Sequence, residues 1–168
     1  ADLYESYCGS ILATAALGAS AFYINPDMQL KAVFAPMIIA AVGIILSIIG
    51  IYVVRTKEGA GMKQLLGSLG KGVNLSSVLI AISTFGIFYY LQIENWMGIS
   101  FSVVTGLVAG IVIGQSTEYY TSHSYKPTQK IADSSQTGPA TVIISGIGLG
   151  MISTAIPVIT IAIAIILS

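Results

Sequence analysis

Met37 to Val54 read MIIAAVGIILSIIGIYVV, a run without a single charge in which only Ser47 and Tyr52 carry polar atoms on their side chains. A transmembrane strand alternates apolar and polar positions over about ten residues, and this run does not alternate. A helix needs about 20 mostly apolar residues to cross a bilayer. The stretch therefore reads as a membrane-spanning helix, and a barrel is excluded.

The rest of the chain repeats the pattern. Its 168 residues are 55% hydrophobic and only 8% charged, with mean hydropathy +0.87, against about 25% charged residues in a soluble domain. Charges punctuate the sequence at helix-length intervals, leaving Ser6 to Pro26, Ala32 to Val54, Gly72 to Ile93, Asn95 to Thr117 and Ser134 to Ser168 uncharged. The expected fold is all-α, a polytopic transmembrane helix bundle of about five spanning helices. These are placed at approximately 2–25, 31–55, 72–93, 96–124 and 138–168, with loops over 56–71 and 125–137. Formal net charge is +0 with no basic block, so neither nucleic acid nor an anionic membrane surface is an implied partner. Cys8 is the sole cysteine, which excludes an internal disulfide. No initiator Met precedes the first apolar run, and VITIAIAIILS closes the last one without a polar anchor. The chain is expected to be an interior piece of a longer polypeptide.

Short cytoplasmic loops collect Lys and Arg. Arg55, Lys57, Lys63 and Lys71 fall in the second loop and Lys126 and Lys130 in the fourth, whereas the first offers Lys31 with Asp27 and the third only Glu94. The second and fourth loops, and the start of the chain, are therefore expected on the cytoplasmic side. Met62, Leu65, Leu66 and Leu69 recur in the second loop at helical spacing, as in an interfacial helix. Gly106, Gly110 and Gly114, and again Gly146 and Gly150, bare one helix face for close packing. Pro157 should kink the last helix.

Polar residues within such a chain carry most of the functional information. Asp2, Glu5 and Ser6 share one helix face within about a turn. A carboxylate at mid-membrane costs ~2.5 to 3.5 kcal/mol on insertion scales, and such groups normally line a bundle interior and bind something. Two adjacent acids need a cation between them, either a proton or a metal ion held by several oxygens. An ordinary helix start, with acids at the positive end of the dipole, explains the same residues; depth in the membrane separates the two readings. Glu118 lies where the fourth helix leaves the bilayer among Tyr119, Tyr120 and Tyr125. It reads as an interfacial carboxylate, or as a secondary polar site in an ion exit or a helix-linking hydrogen bond. His123 has no second His or Cys at ligand spacing and reads as a solvated loop residue. No catalytic constellation can be assembled from this chain.

Two stretches carry a resemblance: ADLYESYC at Ala1 to Cys8, and GQSTEYYTSHSYKPTQKIADSSQTGPAT at Gly114 to Thr141. The first is similar to the sixth helix, and the second to the TEYYTS, I-A-D-S and T-G-x-A-T elements, of the membrane-bound ion-pumping pyrophosphatases. The chain resembles about the sixth to the tenth of that family's sixteen helices. The resemblance implies an enzyme that hydrolyses inorganic pyrophosphate at a cytoplasmic Mg2+-loaded site and pumps Na+, or H+, outward. Substrate motifs of the family lie on other helices, so no catalytic residue is expected here. By motif, Asp2, Glu5 and Ser6 correspond to the sixth-helix part of the ion gate and would contribute Na+ ligands. The last helix would complete that gate. Many proton-pumping relatives place the gate glutamate where this chain has Gly9, so Glu5 resembles the sodium branch, with K+ as activator. The resemblance further implies a homodimer whose interface includes residues 140–168, in the cell membrane. Val142 and Pro139 depart from the family pattern at the start of the last helix. A secondary ion transporter and a non-catalytic membrane scaffold are the competing readings.

Overall fold

The computed structural model describes residues 2–168, apart from the side chains of Asp2 and Lys63. Its regular elements are helices: α1 (Asp2–Ala21), α2 (Pro26–Val53), α3 (Met62–Leu91), α4 (Trp96–Thr121), α5 (Lys126–Ser134), a 3-10 turn (Ser135–Thr137), α6 (Pro139–Ser153) and α7 (Ala155–Leu167). Among the described residues, Pro26–Val53, Gln64–Leu91, Trp96–Thr137 and Pro139–Leu167 are long and apolar enough to cross a membrane. With 20 residues, α1 has the length, ~30 Å at 1.5 Å per residue. Its first half, however, spends positions on Glu5, Ser6, Tyr7 and Ser10. The all-α, polytopic architecture is the one the apolar runs demand.

Boundaries follow local chemistry. Prolines stand in the first turn of α2, α5 and α6, where the missing N–H has no helical acceptor to lose and the fixed φ suits a helix start. α3 begins at Met62, well before the expected start at 72. Met62, Leu65, Leu66 and Leu69 continue its apolar spacing, and Lys63 and Lys71 do not interrupt it. Of the expected 56–71 loop, only residues 56–61 stay outside helix. The expected 125–137 loop is mostly α5 and the 3-10 turn.

The chain divides into two bodies, residues 1–58 with 67–103, and residues 59–66 with 104–168. In the first, α1 and α2 run antiparallel. The Tyr7 hydroxyl donates to the Ala40 carbonyl at 3.0 Å, and the Gln29 amide to the Ala19 carbonyl at 2.8 Å. Between those bonds the backbones nearly touch: a Cβ built on Gly18 would lie 2.8 Å from the Ala32 oxygen. Pro36, inside α2, has no N–H to give the carbonyl four residues back, which is that of Ala32. The released carbonyl thus faces the one residue type that leaves it room. α2 and α3 cross at Gly50 and Gly72, where a Cβ on either would sit 2.9 Å from the carbonyl oxygen of the other. Ser76, buried beside them, donates to Gly72 O at 3.0 Å. Ala35, Phe88 and Ile93 form a buried cluster backed by Phe22 and Trp96, with Tyr89 edge-on to Trp96 at 5.5 Å. The fully buried hydroxyls of Thr84 and Ser100 donate at 2.8 Å to Ile80 O and Trp96 O, each four residues back. These back-bonds let polar side chains sit in an apolar interior.

In the second body, α5 returns against the end of α4 through Thr128 Oγ1 to Tyr120 O, 3.2 Å, and Gln129 Nε2 to His123 O, 3.2 Å. The turn into α6 is a hydroxyl corner: Ser134 O accepts from Thr137 Oγ1 at 2.8 Å and Thr141 Oγ1 at 2.9 Å. Gly138, between them, has φ +124°. The TGPAT motif is therefore a helix-to-helix hinge piece whose glycine is required by its backbone. Pro157 interrupts the last span as expected: α6 stops at Ser153, Thr154 turns, and α7 starts at Ala155. The bare faces expected to pack at Gly106, Gly110, Gly114, Gly146 and Gly150 meet nothing within 4 Å among the described residues. The close approaches are made by Gly18, Gly50 and Gly72 instead.

Candidate functional site

The first two turns of α1 hold the candidate ion residues. The backbone of Asp2 is helical, and its side chain lies outside the described residues. Glu5 and Ser6 are exposed. α1 turns Tyr7, Ala15 and Gly18 toward α2, so the face carrying Glu5 and Ser6 is left uncovered by any described element.

That face is more polar than the spacing of two acids suggested. Ser10 donates to Ser6 O at 2.8 Å, and Thr14 donates to Ser10 O at 2.5 Å. Positions 2, 6, 10 and 14 follow one another at four-residue steps, a polar row some 18 Å long at 1.5 Å per residue that winds ~40° per step, from the face of Asp2 and Ser6 to the flank of the α2 side at Thr14. Each of these two hydroxyl protons is committed to the helix's own backbone, and what Ser10 and Thr14 present outward is oxygen lone pairs. Sequence reasoning stopped at Ser6; the i, i+4 recurrence of small hydroxylated residues was the available signal. Among the described residues no three of His, Cys, Asp or Glu gather as a metal cage, so Glu5 and Ser6 form at most one wall of a cation site.

Glu118 belongs to a different setting. It is partly buried, and the Tyr125 phenol donates to its Oε1 at 3.4 Å. Tyr119 packs on Tyr120 and Tyr125 at centroid distances of 5.1 and 5.4 Å. This is a helix-linking hydrogen bond inside an aromatic cluster that clamps the end of α4 to the start of α5. His123 is exposed, and its carbonyl accepts from Gln129. The Ser116 hydroxyl in the same segment is buried with no hydrogen-bond partner among the described residues.

The sequence family described as inorganic H+ pyrophosphatase matches this chain over residues 1–168. The chain belongs to that family. It is 70% identical over 170 residues to a Bacteroides thetaiotaomicron protein named as a K(+)-stimulated pyrophosphate-energized sodium pump, covering 100% of this chain and 23% of the relative. A Clostridium tetani protein of the same name is 39% identical over 168 residues, covering 100% of this chain and 24% of the relative. A Moorella thermoacetica protein named K(+)-insensitive pyrophosphate-energized proton pump 2 is 35% identical over 170 residues, 98% of this chain and 24% of that one. The chain thus spans about a quarter of the length of these pyrophosphatase-family relatives. With its membrane-length helices, this member of the inorganic H+ pyrophosphatase family is part of a multi-pass membrane protein.

Proposed function

We propose that this chain is the sixth-to-tenth-helix portion of a membrane pyrophosphatase that couples hydrolysis of inorganic pyrophosphate to outward pumping of Na+, and that Asp2, Glu5 and Ser6 are its part of the ion gate. The observation that carries the proposal is the 70% identity, over the whole chain, to a protein named as a pyrophosphate-energized sodium pump. The structure of α1 supports the gate role. One side of the helix is committed to α2, and the other keeps a carboxylate and the exposed hydroxyls of Ser6 and Ser10. A carboxylate facing lipid would bear the insertion penalty without any compensation. Covered by another helix of the full-length protein, the same oxygens form one wall of a Na+ cage.

In this scheme pyrophosphate, as its Mg2+ complex, binds above the gate on residues outside this chain. Binding shifts the helices and displaces the cation outward, and product release restores the gate. K+ acts as an activator, also through residues elsewhere. The chain starts on the cytoplasmic side of the cell membrane, residues 140–168 contribute to a homodimer interface, and H+ is the alternative cargo. The test is Glu5→Gln in the full-length protein, reconstituted in vesicles with pyrophosphate hydrolysis and Na+ uptake measured in parallel. We expect uptake to collapse; undiminished Na+ transport rejects Glu5 as gate. A protonophore separates the ions: primary Na+ pumping persists in its presence, whereas Na+ entry driven by a proton gradient stops.

A further inference from the structure

The second body contains an open cavity of about 490 Å³ between the end of α4, α5 and α6. Its lining is basic: Lys126 and Lys130, one turn apart on α5, both exposed, line it together with Tyr119 and Ser145. Its floor is a stripe of α6 in which Gly148 contributes no side chain and Leu149 supplies an apolar wall. A Cβ at Gly148 would meet nothing within 4 Å among the described residues, which leaves room along the slot. Among the described residues, no carboxylate lines it. From these observations we propose that this groove binds one anionic glycerophospholipid, its phosphodiester between the two lysines and an acyl chain along Gly148.

Three features select that occupant. The α6 part of the lining runs from Ser145 to Ile152, ~10 Å along the helix at 1.5 Å per residue. This sets an apolar stretch of α6 beside the two lysines. Basic pockets between transmembrane helices are suited to anionic head groups, each lysine near a membrane surface favouring a negative lipid by about 1 kcal/mol. The groove also offers donors without acceptor competition: two ammonium groups, the Tyr119 phenol and the Ser145 hydroxyl match a phosphodiester and its neighbouring ester oxygens. A neutral lipid would satisfy the slot but leave the lysine pair unanswered. The overall charge of zero conceals the site because the two cations are local.

The proposal rests on the membrane placement of α6, not on the gate, and it is read without pumping. Full-length protein is titrated with phosphatidylglycerol or phosphatidylcholine in detergent, and lipid adducts are counted by native mass spectrometry. The wild type should hold one phosphatidylglycerol in preference to phosphatidylcholine. Lys126→Gln with Lys130→Gln should weaken that binding roughly 30-fold, the fold-change expected from two such charges. The double arginine variant should retain it, and Gly148→Leu should weaken it with both lysines intact. Equal retention of the two lipids, or unchanged phosphatidylglycerol affinity in the double glutamine variant, overturns the proposal. So does displacement of the lipid by inorganic phosphate, which would make the groove a free-anion site.

Discussion

Gly18→Ala is the substitution whose effect the helix packing fixes most closely. The added Cβ would stand 2.8 Å from Ala32 O, 3.1 Å from Ala32 C and 3.3 Å from Ala32 Cβ. Two of those three atoms are backbone and cannot swing aside. To reach ordinary contact at 3.4 Å, the helices must separate by about 0.6 Å (3.4 − 2.8). The same separation would stretch the 2.8 Å bond from Gln29 to Ala19 O to ~3.4 Å, past the usual hydrogen-bond range. Overpacking costs about 2 kcal/mol, and an interhelical hydrogen bond within a membrane is worth ~0.6 kcal/mol. Better helix propensity returns ~1 kcal/mol. The net expectation is a loss of about 1.5 kcal/mol, close to tenfold in the ratio of folded to unfolded protein. The measurement is reversible unfolding of the full-length protein in mixed micelles with increasing SDS. Gly67→Ala is the control, since nothing lies within 4 Å of a Cβ there, and it should be neutral or stabilising by up to ~1 kcal/mol. If Gly18→Ala is as harmless as Gly67→Ala, the contact with the Ala32 carbonyl does not hold α1 on α2.

Three further outcomes follow from the same geometry. Gly50→Ala and Gly72→Ala should each destabilise by about 1 to 3 kcal/mol, because each Cβ would meet the other glycine's carbonyl oxygen at 2.9 Å. The double variant should fall short of the sum, and full additivity in SDS titrations would refute a shared crossing point. Gly138→Ala forces an L side chain to φ +124° and should cost about 1 to 3 kcal/mol, read as a lowered midpoint of the same titration; an unchanged midpoint would mean the hydroxyl corner adapts freely. Pro157→Ala should restore a continuous helix across Ser153 to Ala155, seen as a longer, narrower distance between spin labels on α6 and α7. An unaltered distance would place the cause of the break elsewhere.

What the sequence made legible was set by which forces act along the chain and which act across it. The run at Met37 to Val54 identifies α2 because an uncharged apolar segment of that length has few other stable homes. Pro157 marks the break between α6 and α7 because a missing N–H acts locally. Treating charge as a loop marker misplaced the start of α3: Lys63 and Lys71 lie within the helix, where long side chains can carry their ammonium groups to an interface. Glycine spacing announced bare faces on α4 and α6 but not which helix would meet them, and Gly18, Gly50 and Gly72 make the contacts because their partners offer a carbonyl or a second glycine. Glu5 and Ser6 were legible as residue types at a helical spacing. What covers them was not, since both are exposed among the described residues and α2 packs on another side of α1.

The asymmetry of α1 ties packing to the proposed chemistry. Tyr7 and Gly18 hold the helix to α2 by a hydrogen bond and a backbone contact, which together define its rotation about its own axis. That rotation leaves Glu5, Ser6 and Ser10 away from α2, where the rest of a larger bundle can cover them, with Thr14 at the flank of the α2 seam. Because Ser10 and Thr14 give their protons to Ser6 O and Ser10 O, the row offers oxygen lone pairs to anything passing along it. An anion would find no free donor from those two hydroxyls and would meet the Glu5 carboxylate, whereas a bare or partly hydrated cation would find successive acceptors. In the proposed gate, the i, i+4 back-bonds would favour a cation alongside the acid. Replacing Thr14 with Ser preserves the device, and replacing it with Val removes one acceptor while keeping the shape. Thr14→Val should therefore slow Na+ transport per pyrophosphate hydrolysed and Thr14→Ser should not. Equal transport ratios for both would detach the hydroxyl row from the ion path.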